Sequence, residues 1–293
     1  MNLTMLEIDS QPEVWRTALD LTAEARRILA RPGERMLVIG CGTSAFVAES
    51  FAALREEAGL GETDAAYASE PRVWRPYDSV VAITRSGTTT EVADALRRVP
   101  AGVTTIVVTG VADSPCAELA DEVLLLDFAD ERSVVQTRFP TTFLILARAA
   151  LGEDVSQLPA ALEASLAVED SVEEPVYDHI VYLGSGWTYG LAQEAALKVR
   201  EAAQAWAESY PLLDYRHGPL AVAHPGSLVW FLGTTDDDLA RDIETTGATV
   251  RQREGEDPLV ALVRAQRYAV RAATARGLDP DNPRHLTRSI VLS

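Results

Sequence analysis

MLVIGCGTSAFVAESFAAL, residues Met36 to Leu54, joins an apolar run to a helical pattern through Gly-Cys-Gly-Thr-Ser. The unbroken apolar run reads as a short buried strand. A strand that turns at glycines straight into a helix lets the backbone approach a ligand closely. The free N–H groups at the helix start then favour an anion.

Outward from this junction, strands and helices alternate. The runs RMLVIG, SVVAIT, TTIVVTG and EVLLLDF are separated or followed by the helical patterns SAFVAESFAALREEAG, TTEVADALRRV, SPCAELA and TRFPTTFLILARAAL. A single N-terminal helix is expected from Pro12 to about Ala30, stopped by Pro32-Gly33. A second series follows the acidic, proline-containing stretch VEDSVEEPVYD. It comprises HIVYLGSG, a long Ala-rich helix, SLVWFLG, TGATVRQ and a final helix from about Pro258 to Arg276. Alternation of this kind predicts parallel sheets with helices on both faces.

The two series superpose. An offset of 144 residues places Gly40 on Gly184, Gly42 on Gly186 and Glu70 on Asp214. The expected architecture is therefore α/β, with two tandem doubly wound parallel-sheet (flavodoxin-like) domains over residues 1–156 and 157–293. Ligands are expected at the C-terminal ends of the strands.

Composition narrows the function classes. A formal net charge of −18 argues against nucleic acid or an anionic membrane as partner. No apolar run reaches transmembrane length, and no leader is expected, since the opening MNLTMLEIDSQPEVW lacks a basic-then-apolar pattern. The two cysteines, Cys41 and Cys116, make no disulfide framework, so a cytoplasmic location is expected. No cofactor and no metal is expected. Of 26 basic residues only Lys198 is a lysine. If arginine has replaced lysine wherever either serves, Lys198 stands where a compact ammonium is required; chance is the alternative.

GCGTSA also fits the Gly-x-Gly-x-x-Gly/Ala dinucleotide fingerprint, with Glu70 as the ribose-binding acid, and an NAD-dependent oxidoreductase is the rival reading. Thr43 and Ser44 weigh against it, since a pyrophosphate loop needs no hydroxyls there. A second loop, TRSGTTTE at 84–91, also follows an apolar strand and opens a helix. Two hydroxyl-rich helix N-termini in one sheet suit a small phosphomonoester. Ordinary helix capping by Ser and Thr is the plain alternative. Arg85 either adds charge to such a site or faces solvent.

CGTS (41–44), RSGTT (85–89), EAALKVRE (194–201), AESYPLLDYRHGPL (207–220) and DNPRHLTRS (281–289) occur in the order found in the SIS (sugar isomerase) family. The chain resembles the isomerase half of glucosamine-6-phosphate synthase and its free-standing relatives, the phosphosugar isomerases, deaminases and deglycases. The resemblance implies that Ser44, Ser86 and Thr89 hold a sugar phosphate, with the amides of Gly42, Thr43 and Gly87 nearby. Thr84 and Arg85 belong to the same expected phosphate site. A homodimer with active sites at the subunit interface is also implied.

Within GLAQEAALKVREAAQAW, Glu194, Lys198 and Glu201 fall at i, i+4 and i+7, one narrow helical strip. The strip borders an apolar stripe of Leu191, Ala195, Val199, Ala202 and Trp206. An exposed ion-pair ladder is the plain reading. The chemical reading is a carboxylate base beside a lysine, able to move a proton between adjacent sugar carbons. The resemblance assigns the base to Glu201, orientation and hydroxyl binding to Glu194 and Lys198, and ring opening in the neighbouring subunit's site to His217. His179 and His224 read as structural, and His285 is left undecided.

The chain also departs from the synthase. Arg288 stands where the synthase tail has its imine-forming lysine, and guanidinium cannot form that imine. Gln136 replaces a smaller hydroxyl residue, so sugar recognition is expected to differ. With one helix pattern ahead of the first α/β unit, no glutaminase half and no glutamine-dependent synthesis is expected. The functional expectation is a hexose 6-phosphate isomerase or aminosugar 6-phosphate deaminase. A non-catalytic sugar-phosphate sensor is the alternative from another class.

Overall fold

Met36–Gly40 are all buried and form β1, as a strand covered on both faces requires. In the computed structural model, which describes residues 2–169 and 175–292, three short helices precede it. They are α1 (Leu3–Asp9), α2 (Gln11–Leu19) and α3 (Thr22–Leu29), where one helix from Pro12 to Ala30 was expected. The side chain of Asn2 caps α1 by accepting from Met5 N at 2.8 Å. Pro12 fits the first turn of α2, where no N–H is needed.

After β1 the chain forms α4 (Thr43–Glu57), β2 (Thr63–Tyr67), β3 (Ser79–Ile83), α5 (Thr90–Arg97), β4 (Thr104–Thr109), the single turn α6 (Pro115–Glu118) and β5 (Glu122–Leu125). These strands make one parallel sheet in the order β2-β1-β3-β4-β5. Two long helices follow, α7 (Arg138–Leu151) and α8 (Leu158–Glu169). Of the acidic stretch 168–178, residues 170–174 lie outside the described residues.

The second series is β6 (His179–Gly184), α9 (Thr188–Lys198), β7 (Trp206–Pro211), β8 (Ser227–Phe231), α10 (Asp237–Glu244), β9 (Thr249–Arg251) and α11 (Pro258–Ala275). Its sheet is parallel with order β7-β6-β8-β9, repeating the β2-β1-β3-β4 arrangement of the first. The superposed glycines behave alike. Gly42 and Gly186 have φ of +54° and +55°, a region that favours glycine. The flavodoxin-like order differs from that of dinucleotide-binding sheets, which removes the fold support for the NAD reading.

One hydrophobic cluster runs between the sheets, joining Phe51 of α4, Phe143 of α7, Leu191 of α9 and Leu262 of α11. Smaller clusters cover the outer face of each sheet. At the α4–α9 crossing, a Cβ on Gly190 would meet the Phe46 carbonyl oxygen at 2.3 Å. The two helices therefore approach backbone to backbone, and this crossing brings the two halves of the site together. No helix among the described residues is long and apolar enough to cross a membrane.

The Ala-rich helix is shorter than expected. It ends at Lys198, continues as a π-helical turn over Val199–Ala203, and stops at Gln204 in the left-handed region. Trp206 is therefore not on an apolar helical stripe. It opens edge strand β7 and is 68% exposed.

Candidate functional site

β1 and β3 are neighbours, yet the chain leaves them towards opposite sides, into α4 and α5. The gap between the two following loops is the topological switch point, where open α/β sheets bind ligands. Gly42 precedes α4 and Thr89 precedes α5, and neither helix start receives a side-chain capping bond. Ser44 N and Ala45 N turn back to the Cys41 and Gly42 carbonyls at 3.1 and 3.0 Å, and Thr90 N donates to the Ile290 carbonyl of the tail at 3.2 Å.

A cavity of about 230 Å³ opens at this point, lined by Gly42, Thr43, Thr89, Gln136, Glu201 and the tail residues 286–290. Five expected site residues, from both halves of the sequence, meet on its wall. Thr84, Ser86 and Gly87 lie in the second loop and Ser44 in the first turn of α4, and none of the four is among the residues that line the cavity. Ser86 Oγ donates to Ser289 Oγ at 3.1 Å and accepts from Thr88 N at 3.3 Å. The Thr84 hydroxyl is buried without a hydrogen-bond partner.

Arg85 neither faces solvent nor lines the cavity. It is buried, donating from Nη1 to the Ser133 carbonyl at 3.0 Å and from Nη2 to the Arg288 carbonyl at 2.6 Å. Arg288 in turn grips both carboxylate oxygens of Asp130, at 2.5 and 2.7 Å, and donates to the Glu131 carbonyl. The two arginines thus fasten the C-terminal tail to the 130–137 loop, which carries Gln136. Glu131 anchors that loop, accepting from Thr137 N and Oγ1, Arg138 N and Phe139 N at the start of α7.

Opposite the phosphate-type loops lies the charged trio. It is no exposed ladder: Glu194 is fully buried and Lys198 is 1% exposed. Lys198 Nζ donates to Thr43 Oγ1 at 3.0 Å and to Glu201 Oε2 at 2.5 Å. Glu194 Oε1 stands 3.5 Å from the same nitrogen, and neither Glu194 carboxylate oxygen has a hydrogen-bond partner. Burial pushes the Glu194 carboxyl up to about 8, against the pull of the Lys198 charge, so it holds a proton at neutral pH. Burial also depresses Lys198, but the carboxylates of Glu194 and Glu201 outweigh it and raise the ammonium above its ordinary value. Glu201, on the π turn, is the member of the trio that reaches the cavity wall. Such turns are frequent at functional sites because they displace one residue from the regular helical path.

Cys41 shares the wall. Burial, with the Glu91 charge, pushes its thiol up to about 11, so it is protonated and not poised as a nucleophile. His217 is not brought to the cavity: it ends a 3₁₀ segment, Leu212–His217, and is exposed. Among the described residues no group of three or more His, Cys, Asp or Glu is placed to hold a metal ion. Sequence reasoning missed Thr287 and Ser289 as cavity residues and the Asp130–Glu131 anchors, whose places depend on where the tail lands.

A doubly wound α/β protein with its ligand cavity at the switch point is thus defined by fold and site. The SIS domain family model matches residues 28–151, the stretch that carries the first sheet and its helices. Glucosamine-6-phosphate deaminase from Thermotoga maritima is 26% identical, with a TM-score of 0.84 over 99% of this chain and 100% of that one. Glutamine–fructose-6-phosphate aminotransferase [isomerizing] from Pyrococcus horikoshii is 28% identical, over 98% of this chain and 57% of that protein. The chain spans about half the length of the curated relatives it matches. Tagatose-6-phosphate ketose/aldose isomerase from Escherichia coli shares the fold, with a TM-score of 0.78 at 19% identity over 99% of this chain and 96% of that one.

Proposed function

We propose that the chain binds a hexose 6-phosphate or aminosugar 6-phosphate and moves a proton between the first two carbons of its open form, as an isomerase or a deaminase. The observation that carries this reading is that two helix starts, at Gly42 and Thr89, and the Glu201 side chain line one small cavity. The phosphate takes the N–H groups and the Ser44, Ser86 and Thr89 hydroxyls, where two helix dipoles offset the chain's negative field. Glu201 is the base that removes and returns the proton. Lys198 orients it through the 2.5 Å contact, and protonated Glu194 spares the buried trio a second negative charge.

The active species is a homodimer in which His217 of one subunit serves ring opening in the other. Each chain comprises two tandem SIS domains, residues 1–156 and 157–293, and works in the cytoplasm. The relatives named above support a sugar-phosphate reaction, and Arg288 argues against the imine step of synthesis.

The test is a panel of hexose 6-phosphates and aminosugar 6-phosphates, with isomer formation and ammonia release followed separately. Turnover of at least one is expected, abolished by Glu201→Gln. Ser86→Ala with Thr89→Ala is expected to weaken binding while barely lowering the melting temperature. Equal affinity for glucose and its 6-phosphate would sink the proposal.

A further inference from the structure

Thr43 belongs to both halves of the site. It opens α4, lines the cavity at the first helix start and is 3% exposed. Ser44 N and Ala45 N turn back to nearby carbonyls, but the N–H of Thr43 itself has no partner among the described residues. Its hydroxyl reaches the other half, where Oγ1 accepts from Lys198 Nζ at 3.0 Å. Among the described residues, Thr43 is the only one from the first half of the chain hydrogen-bonded to the side chains of the charged trio.

That bond decides where a mobile group rests. A lysine ends a flexible four-carbon stem in a compact donor. Here Nζ lies 2.5 Å from Glu201 Oε2 and 3.5 Å from Glu194 Oε1. Both oxygens of buried Glu194 lack a hydrogen-bond partner, and a shift of less than about 1 Å completes a bond to one of them. Glu194 is therefore a competing place for the ammonium. While Thr43 Oγ1 holds one of its protons, the ammonium stays on Glu201. Without that acceptor, the unsatisfied carboxyl draws it away. Two discrete resting places are what coupling between sites requires.

We infer that Thr43 is a positioning residue through which the phosphate activates the base: an anion on its N–H fixes its hydroxyl, and the hydroxyl holds Lys198 on Glu201. The inference rests on the proposed sugar-phosphate reading. The phosphate then speeds proton transfer at the far end of the sugar as well as anchoring the molecule. Binding energy from a part of the substrate that does not react is spent on orienting the group that does. A misplacement of about 1 Å at such a group costs on the order of a hundredfold in rate. No bond to phosphorus forms or breaks, so the anion and the sugar need not be one molecule.

Inorganic phosphite and unphosphorylated sugars test the coupling in pieces. Fructose and glucosamine are held with the protein in D2O, and NMR follows deuterium exchange on the carbon beside the carbonyl. Adding phosphite is expected to raise the exchange rate by at least about tenfold. Thr43→Val removes the hydroxyl but keeps the N–H. It is expected to abolish the phosphite effect and to lower kcat on the sugar 6-phosphate by at least about tenfold, with KM within about threefold. Thr43→Ser is expected to restore both. The wild-type exchange measurement needs no variant, so it decides even where Thr43→Val does not fold. Phosphite that competes with the sugar 6-phosphate yet fails to speed exchange overturns the coupling and leaves the sugar-phosphate reading intact. A Thr43→Val loss confined to KM, or one that Thr43→Ser does not repair, does the same. Failure of every sugar 6-phosphate to bind overturns both readings.

Discussion

Lys198 Nζ lies 2.5 Å from Glu201 Oε2, with the change from α helix to π turn falling between the two residues. The ammonium is walled in by Glu194 and Thr43, so its slot fits a point donor. Lys198→Arg keeps the charge but forces a planar fork into that slot. Overpacking is expected to cost about 1–3 kcal/mol of stability. Turnover is expected to drop by at least about tenfold, about 1.4 kcal/mol in the barrier. Steady-state kinetics and a thermal melt read both, and wild-type turnover in the variant counts against a site role for the lysine.

Glu194 makes stability depend on pH with a defined sign. Its carboxyl titrates near 8 in the folded chain, against an ordinary value of 4.5. Between those limits the folded state holds a proton that the unfolded state has released. Its contribution is therefore complete below 4.5 and lost as pH rises through about 8. Subtracting the melting curves of Glu194→Gln from those of the wild type is expected to show that decline. A difference that grows with pH is the contrary result.

Glu131 is buried and satisfies four donors while facing Arg85 at 4.0 Å. Glu131→Ala orphans those donors and leaves Arg85 without its carboxylate. A loss of about 3–5 kcal/mol in urea unfolding is expected, the scale of breaking one side of a buried ion pair. Faster amide exchange over residues 284–292 is expected with it, because Arg85 also holds the tail through Arg288. A stable variant with an unaltered tail contradicts this account.

His217 is exposed and does not line the cavity of its own chain. If it serves a second subunit, Glu201→Gln and His217→Ala chains, each inactive alone, are expected to regain activity when mixed through hybrid dimers. Sedimentation is expected to show a dimer. A fully active monomer removes the shared site.

Much of this was legible from local pattern. β1, its glycine turn and the repeat at Gly184 follow from unbroken apolar runs and from a backbone that only glycine adopts easily. Strands β2 and β7 were not legible. They are edge strands, half-exposed and polar, with burial on one side only. The π turn was invisible because every residue from Glu194 to Trp206 is compatible with a regular helix. The role of Arg85 was equally hidden: its partner Arg288 lies 203 positions away, and no local signal carries that distance.

Lys198 is the only side-chain amine in the chain, and it is 1% exposed where α4 crosses α9. An acylating reagent therefore finds no lysine while that crossing holds, and one when it parts. A lysine-directed peptidase likewise has a single bond to cut, between Lys198 and Val199, at the junction of helix and π turn. One residue thus gives this protein a built-in chemical reporter, silent in the closed molecule and informative about how often its two halves separate.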